Sequence, residues 1–387
     1  LSASVFNKSN PAGTYGSAVP VLRSDRGIRA GEELVIPGLV GSSAAGRTNL
    51  MVQELAGHDT PIVIYLLQAS GSGVSIREEV VPAFQHVRLN DVAPAGATTA
   101  VIGVKGGAAG SVLAYATPVD VLSGDTWVVT DWARVEGFAA DARQVIPIAG
   151  KLEGANANYF RTTVAIANQS FVPAAVLLRF VSSAGESVEK SVSLGPRATV
   201  SFSDVISELF GIPSGIGFLE IDPQGTPVTV TSRTFATIGE DPKTFGTGVP
   251  AVAASMKRGA IARISGFDDA DTGTIFAKTP ATFRTNLGLI ETSGKAATVR
   301  VTLYFRHPVS SSLTAVGSGS REFTLAPRQF LLLQGIAAEI LGDFRGSLKG
   351  NLKDLFVDIE IVSGDGEVIG FTSSVDNGTA DQLFKLQ

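Results

Sequence analysis

No cysteine occurs among the 387 residues, which excludes disulfides, thiolate metal sites and cysteine nucleophiles. It suits a bacterial secreted protein, although cytosolic proteins without cysteine also exist. Histidine is almost as scarce. His58, His86 and His307 sit at different points of the chain, with no H-x-H or H-x-x-x-H spacing to hold a metal and no acid recurring beside them to make a triad. Only 17% of residues are charged, the net charge is -5 and the basic residues are scattered singly. Nucleic acid and anionic membranes are thereby disfavoured as partners. No apolar run approaches the roughly 18 to 20 residues needed to cross a bilayer, and the first residues lack the regions of a signal peptide. There is neither G-K-[ST] nor G-x-S-x-G, and GVKGGAAG at 103–110 belongs to a hairpin pattern rather than a phosphate loop.

What is present is glycine, 43 residues of it, together with Val/Thr/Ser-rich runs, a composition that predicts an all-β protein with many turns. The sequence also repeats. GRTNL at 46–50, FRTTV at 160–164 and FRTNL at 283–287 each open a strand, each is followed by a second apolar run, and each leads through a turn to a proline. Arg47 to Pro82 and Arg161 to Pro196 are both 35 residues, and Arg284 to Pro327 is 43, with the excess in the hairpin at 307–320. Beyond the proline, SFSDVISELFG and LQGIAAEILG carry short helical spacings in the second and third copies.

The closing segments come in two kinds. VDVLSGD at 119–125 and VDNGTAD at 375–381 share V-D-x-x-[ST]-[GA]-D, whereas the stretches ending at Pro20 and Pro250 share T-[YF]-G-x-x-V-P. The expected architecture is three tandem immunoglobulin-like β-sandwich domains over 32–130, 142–252 and 259–387, with short helical turns in the second and third. Short linkers predict a semi-rigid rod. Residues 1–22 have the form of a closing strand without a domain body, either cut from a longer precursor or completed by another subunit. Such an orphan strand is expected to pair through Val5, Phe6, Tyr15 and Val19 with an open sheet edge, a neighbouring molecule being favoured.

The FRTNL opening, the LGPR and LAPR turns at 194–197 and 325–328, and the TFGTGVP and SVDNGTAD closings resemble tandem Ig-like β-sandwich repeats of uncharacterised secreted and cell-surface proteins from environmental bacteria. That resemblance implies an extracellular, non-catalytic module and brings no cofactor or catalytic residue.

The remaining candidates for chemistry each have a structural alternative. Asp268, Asp269 and Asp271 in FDDADTGT could contribute oxygens to calcium, but the later acids of a calcium loop are missing and a polar interdomain turn is favoured. Asp120, Asp125, Asp376 and Asp381 could form acid/base pairs, yet their recurrence in alternate units favours Asx-type turns. Arg47, Arg161 and Arg284 favour pairing across the sandwich over ligand contact. Trp127, Trp132, Tyr159 and Phe160 could form a sugar platform, with interdomain packing preferred. The leading expectation is a structural subunit of an extracellular or cell-surface filament or other self-association, possible donor-strand exchange of residues 1–22 included. The alternative is a carbohydrate-binding or adhesive accessory module, with polysaccharide as partner.

Overall fold

The computed structural model describes the chain except residues 1–2, 8–14, 20, 22, 155–156, 254, 271–281, 311–312 and 349, and describes only the backbone of 3–7, 15, 307–310 and 313–316. The protein is all-β, 56% strand and 7% helix. An N-terminal hairpin, β1 (Ala3–Asn7) and β2 (Tyr15–Val19), precedes three sandwiches. The first contains β3 (Glu33–Pro37), β4 (Gly46–Glu54), β5 (Thr60–Leu67), β6 (Gly73–Val81), β7 (His86–Leu89), β8 (Thr99–Val104) and β9 (Val112–Asp120). The helix α1 (Trp132–Glu136) leads to the second, with β10 (Gln144–Glu153), β11 (Asn158–Asn168), β12 (Ala174–Ser182), β13 (Ser187–Leu194), β14 (Thr199–Phe202), α2 (Val205–Glu208), β15 (Gly215–Asp222), β16 (Val228–Ile238) and β17 (Phe245–Gly248). The third has β18 (Ile261–Asp269), β19 (Phe283–Glu291), β20 (Ala297–Ser310), β21 (Leu313–Leu325), β22 (Phe330–Leu333), α3 (Ile336–Leu341), α4 (Asp343–Ser347), β23 (Leu352–Gly364), β24 (Val368–Asp376) and β25 (Gln382–Leu386).

One topology is used three times. With the strands of a sandwich lettered a to h in chain order, one sheet runs a-f-c-d and the other e-b-g-h, all antiparallel. The b–e and c–f pairs are those of immunoglobulin domains. In addition, a pairs with f and g pairs with b, which gives two separate four-stranded sheets in the third sandwich; in the second, β10 also pairs with β11 at Leu152–Phe160 and Glu153–Tyr159 and joins the two halves into one eight-stranded sheet. In the first sandwich the place of h is taken by the bridges Val119–Thr126 and Ala116–Val129. Alternation explains the cores: in β12, Val176, Leu178 and Phe180 are buried on one face while Arg179 points away.

The strand after each Arg-Thr pair ends seven residues later on a buried polar residue: Glu54, Asn168 or Glu291. Glu54 accepts from the backbone N–H groups of Ala56, Gly57, Phe84 and Ser111 at 2.7–3.2 Å. Glu291 accepts from Ser293, Gly294, Arg328 and Glu367. Asn168 accepts from Ser170 and donates to the carbonyls of Val172 and Gly195. One side chain thus ties the b–c turn to the d–e turn in every sandwich. That d–e turn is a β-turn over 82–85, 195–198 and 326–329, with Phe84, Arg197 and Arg328 each at φ 56°. Pro196 and Pro327 occupy its second position, whereas Pro82 occupies its first. The equal 35-residue spacings therefore conceal a one-residue offset.

Neighbouring sandwiches also pack on one another. The outer face of the first a-f-c-d sheet, with Val35, Leu67 and Val101, buries Ala167 of β11. The core of the second sandwich is continuous with Ile290, Phe330, Ile369, Phe371 and Phe384 of the third. In both cases the d–e turn supplies an arginine to the preceding sandwich: Arg197 pairs with Glu33 at 2.8 Å, and Arg328 pairs with the buried Glu220. The L-x-P-R turn is a docking element. In the first sandwich the same position is Phe84, 72% exposed.

Candidate assembly junction

The closing segments meet one another, and there the polar residues of the two closing types come together. In the first sandwich Asp120 Oδ1 accepts from the N–H groups of Leu122 and Ser123, an Asx turn that Gly124 completes at φ 78°. Its Oδ2 accepts from Thr244 N at 2.9 Å and Thr244 Oγ1 at 2.5 Å, both in the second sandwich. Asp125 Oδ2 accepts from Gly246 N at 2.9 Å and from Arg233 Nη2 at 2.8 Å. Arg233 also donates to Thr244 Oγ1, and its guanidinium lies 3.8 Å from the centroid of the Trp127 ring. Gly246 is required here: a Cβ would come within 2.2 Å of the Thr234 carbonyl oxygen. Thus the V-D-x-x-[ST]-[GA]-D turn is a receptor for the T-[YF]-G strand.

The third sandwich repeats the receptor. Asp376 Oδ1 accepts from Gly378 and Thr379, and Asp381 N bonds Thr379 Oγ1 as Asp125 N bonds Ser123 Oγ. Asp381 Oδ2 accepts from Gly16 N at 2.7 Å, so the strand docked on this receptor is β2 of the same chain. Register identifies the hairpin. Gly16 pairs with Phe6 and Ala18 with Ser4 just as Gly246 pairs with Phe235 and Gly248 with Arg233. The expected single orphan strand is therefore two strands, paired in the register of β16 and β17, and among the described residues they pair with each other rather than joining another sheet edge. β2 lies against β17 and β25. The side chains of Val5, Phe6 and Tyr15 lie outside the described residues, and Val19 is half-buried.

Two buried carboxylates here face one guanidinium. Burial pushes Asp125 up to about 6 against the opposing pull of Arg233 and the Gly246 N–H. Burial and then the charge of Asp125 raise Asp381 well above the usual carboxylate range, while the Gly16 and Gln382 N–H groups and Arg233 oppose this. Arg233 itself is lowered by burial, with Asp125, Asp120 and Asp381 opposing.

The other candidates lie apart. His58 and His86 are exposed on separate strands and turns, and only the backbone of His307 is described, in β20. Asp268 and Asp269 end β18 rather than forming a loop. Asp268 accepts from Asp354 N, and the buried Asp269 accepts from Thr285 N and from Ala337 N in the first turn of α3; Asp271 lies outside the described residues. Among the described residues no group of three metal-ligating side chains forms. Arg284 is held by Asn377 at 2.6 Å, Arg161 lies over the Tyr159 ring at 4.9 Å, and Arg47 is half-buried on β4, so the three arginines share position but not partners. Trp127 and Trp132 are buried, and Tyr159 and Phe160 are half-buried at the start of β11. A cleft of about 410 Å³ between the second and third sandwiches is lined by Ile148, Phe160, Leu332, Val375 and Gln382. Among the described residues no helix is long and apolar enough to cross a membrane.

The sequence patterns single out neither Arg233, which lies in SRTF at 232–235 upstream of the TFGTGVP closing, nor the Glu54/Asn168/Glu291 position. The signal for the latter was available in GRTNLMVQE, FRTTVAIAN and FRTNLGLIE, which all end on a polar residue seven after the arginine.

No family model and no curated protein matches the chain. Among solved structures it is similar to an infectious bursal disease virus VP2 subviral particle at 9% identity, covering 89% of this chain and 76% of that one, with TM-score 0.14. It is also similar to a tetra-tandem repeat in the extending region of a large adhesion protein at 11% identity, covering 100% and 98%, with TM-score 0.11. Similarity at that level carries no argument about function.

Proposed function

We propose that this protein is a non-catalytic structural component of an extracellular or cell-surface assembly, self-associating through the contacts its own sandwiches use on one another. The observation that carries this reading is the docking turn of the first sandwich. Arg197 and Arg328 bind preceding sandwiches, while Phe84 at the same turn position is 72% exposed. Edge strand β6 nearby leaves Val74, Ile76 and Val80 exposed at 43%, 66% and 55%. An apolar, open edge of this kind favours association. Exchange of residues 1–22 between molecules is a second route to the same assembly, because the hairpin is held on the third sandwich by a contact that a neighbour's hairpin would reproduce. Light scattering and negative-stain microscopy on the full chain, on Phe84→Asp and on a chain lacking residues 1–22 test this. Assembly weakened by either change supports the proposal; unchanged assembly in both, or a strictly monomeric full chain at high concentration, overturns it.

Carbohydrate binding has one observation in its favour. On the outer sheet of the third sandwich, Tyr304 and Phe356 stack at 4.5 Å with Arg263 over them, and Arg263 pairs with Asp358. Polysaccharide retention that is lost in Tyr304→Ala would establish that reading.

A further inference from the structure

Both interfaces between neighbouring sandwiches use the same two faces. The outer a-f-c-d face of the first meets the outer e-b-g-h face of the second: Val35, Leu67 and Val101 bury Ala167, and Thr99 Oγ1 bonds Thr199 Oγ1 at 2.6 Å. The outer a-f-c-d face of the second, with Val181 and Phe218, shares one buried cluster with Ile290, Phe330 and Phe371 on the outer e-b-g-h face of the third. In each case the d–e turn of the following sandwich adds its arginine, Arg197 on Glu33 and Arg328 on Glu220.

One position marks the receiving face. Seven residues beyond Thr60, Ala174 and Ala297, the starts of the three c strands, stand Leu67, Val181 and Tyr304. Leu67 and Val181 are 8% and 1% exposed, buried where the following sandwich packs. Tyr304 is only half-buried, and it pairs with Phe356 of strand f as Val181 pairs with Phe218. On the same face Ile261 is 64% exposed. The third sandwich therefore keeps the receiving face of the first two, partly open to solvent.

The first sandwich carries the opposite half. Its outer e-b-g face presents exposed Arg88 and half-buried Met51 and Tyr115 in cross-strand register. Its d–e turn holds Phe84 in the same left-handed conformation as Arg197 and Arg328. Both sides of the turn contact have changed together. Asp358 stands where Glu220 stands, each opposite the residue five beyond the start of strand c, Thr302 or Arg179. Arg263 already holds Asp358 through two hydrogen bonds of 2.6 Å and lies over the Phe356 ring. An arriving arginine would find its carboxylate taken, whereas a phenylalanine meets an aromatic pair and a guanidinium. Charge agrees. The outward residues of β4, β7 and β9 include Arg47 and Arg88 and no carboxylate, while the receiving face sets Asp358, Glu322 and Glu360 against Arg263 and Arg300.

We infer that a second copy of this chain seats its first sandwich on the outer a-f-c-d face of the third, with Phe84 against Tyr304, Phe356 and Arg263. The contact joins unlike surfaces, so it propagates or closes a ring instead of stopping at a symmetric dimer. It rests on the self-association proposed above and names the two surfaces that carry it. The aromatic pair is then a protein contact and not a sugar platform.

Two full-length variants, each spoiled on one side, test it by sedimentation velocity. Phe84→Asp keeps the receiving face and Tyr304→Asp keeps the turn. Each alone should associate about thirtyfold or more weakly than the wild type, the scale of a central interface residue. Their equimolar mixture should form dimers and nothing longer, because each unlike pair retains one intact contact. Wild-type association in either variant, or a mixture no more associated than its components, overturns the inference and leaves the assembly reading to its other route. A strictly monomeric wild-type chain removes both. Because the chain has no cysteine, oxidising a mixture of Phe84→Cys and Tyr304→Cys chains gives a second measurement that does not depend on the aspartate variants folding. A disulfide between unlike chains is expected. Phe84→Cys homodimers alone would overturn the inference in favour of symmetric pairing, and a Tyr304→Asp chain that still assembles but no longer retains polysaccharide would overturn it in favour of sugar.

Discussion

Glu54→Gln is the substitution whose consequence the structure fixes most closely. The carboxylate is 1% exposed and takes four backbone N–H groups, Ala56 and Ser111 on Oε1 and Gly57 and Phe84 on Oε2. Burial alone would raise this acid, but the four donors outweigh it and hold it down from 4.5 to about 2. At about 1.4 kcal/mol per tenfold, that difference is worth about 3 kcal/mol of stability at neutral pH. Because the folded value is depressed, the contribution is complete above the unfolded value near 4.5 and is lost as pH falls toward 2. A glutamine amide offers one acceptor oxygen and turns two N–H donors toward an NH2 group, so the loss should approach that full amount. Residue-level amide exchange across β4 and β7, run with urea titration at pH 7 and again at pH 3, checks it. Destabilisation of about 3 kcal/mol at pH 7 that shrinks at pH 3 is expected. A difference below about 1 kcal/mol at pH 7, or one independent of pH, would refute the reasoning.

Other outcomes follow from the same geometry. Arg233→Met should cost about 3–5 kcal/mol by stranding buried Asp125, and Asp125→Asn in the same chain should recover much of it, measured by chemical denaturation. Asp269, pushed up to about 6 by burial against its N–H donors, has a raised folded value, so the stability it contributes is present below about 4 and lost as pH rises to about 6. Asp269→Asn should flatten the melting temperature across that window relative to the wild type. Asn168→Ala, which frees the Val172 and Gly195 carbonyls, should lower stability by about 2 kcal/mol and expose the 195–198 turn to proteolysis.

The sequence made the strand content, the threefold repetition and the two closing types legible, because each is written in local pattern: alternation, Arg-Thr starts, and acids flanking a tight turn. What stayed hidden was whatever depends on which elements meet. Arg233 is an ordinary strand residue until β17 brings Gly246 beside it and the first sandwich brings Asp125. The one-residue offset at Pro82 escaped notice because proline is tolerated at the first position of the turn as well as the second, so only the hydrogen bond from Gln85 N to the Pro82 carbonyl settles the register. Val5 and Phe6 suggested a lone strand because nothing local says that ASVFN and YGSAV pair with each other. The acids at 268 and 269 suggested a loop, yet pairing with β23 carries the strand through Asp269.

The central claim is that the acidic closing turn is a receptor for a T-[YF]-G strand, used once between sandwiches and once by the chain's own N-terminal hairpin. Removing residues 1–22 and following amide exchange at 376–382 tests it most directly, with 120–125 as internal reference. Protection lost at 376–382 and kept at 120–125 is the predicted result. Protection unchanged at 376–382 would contradict it.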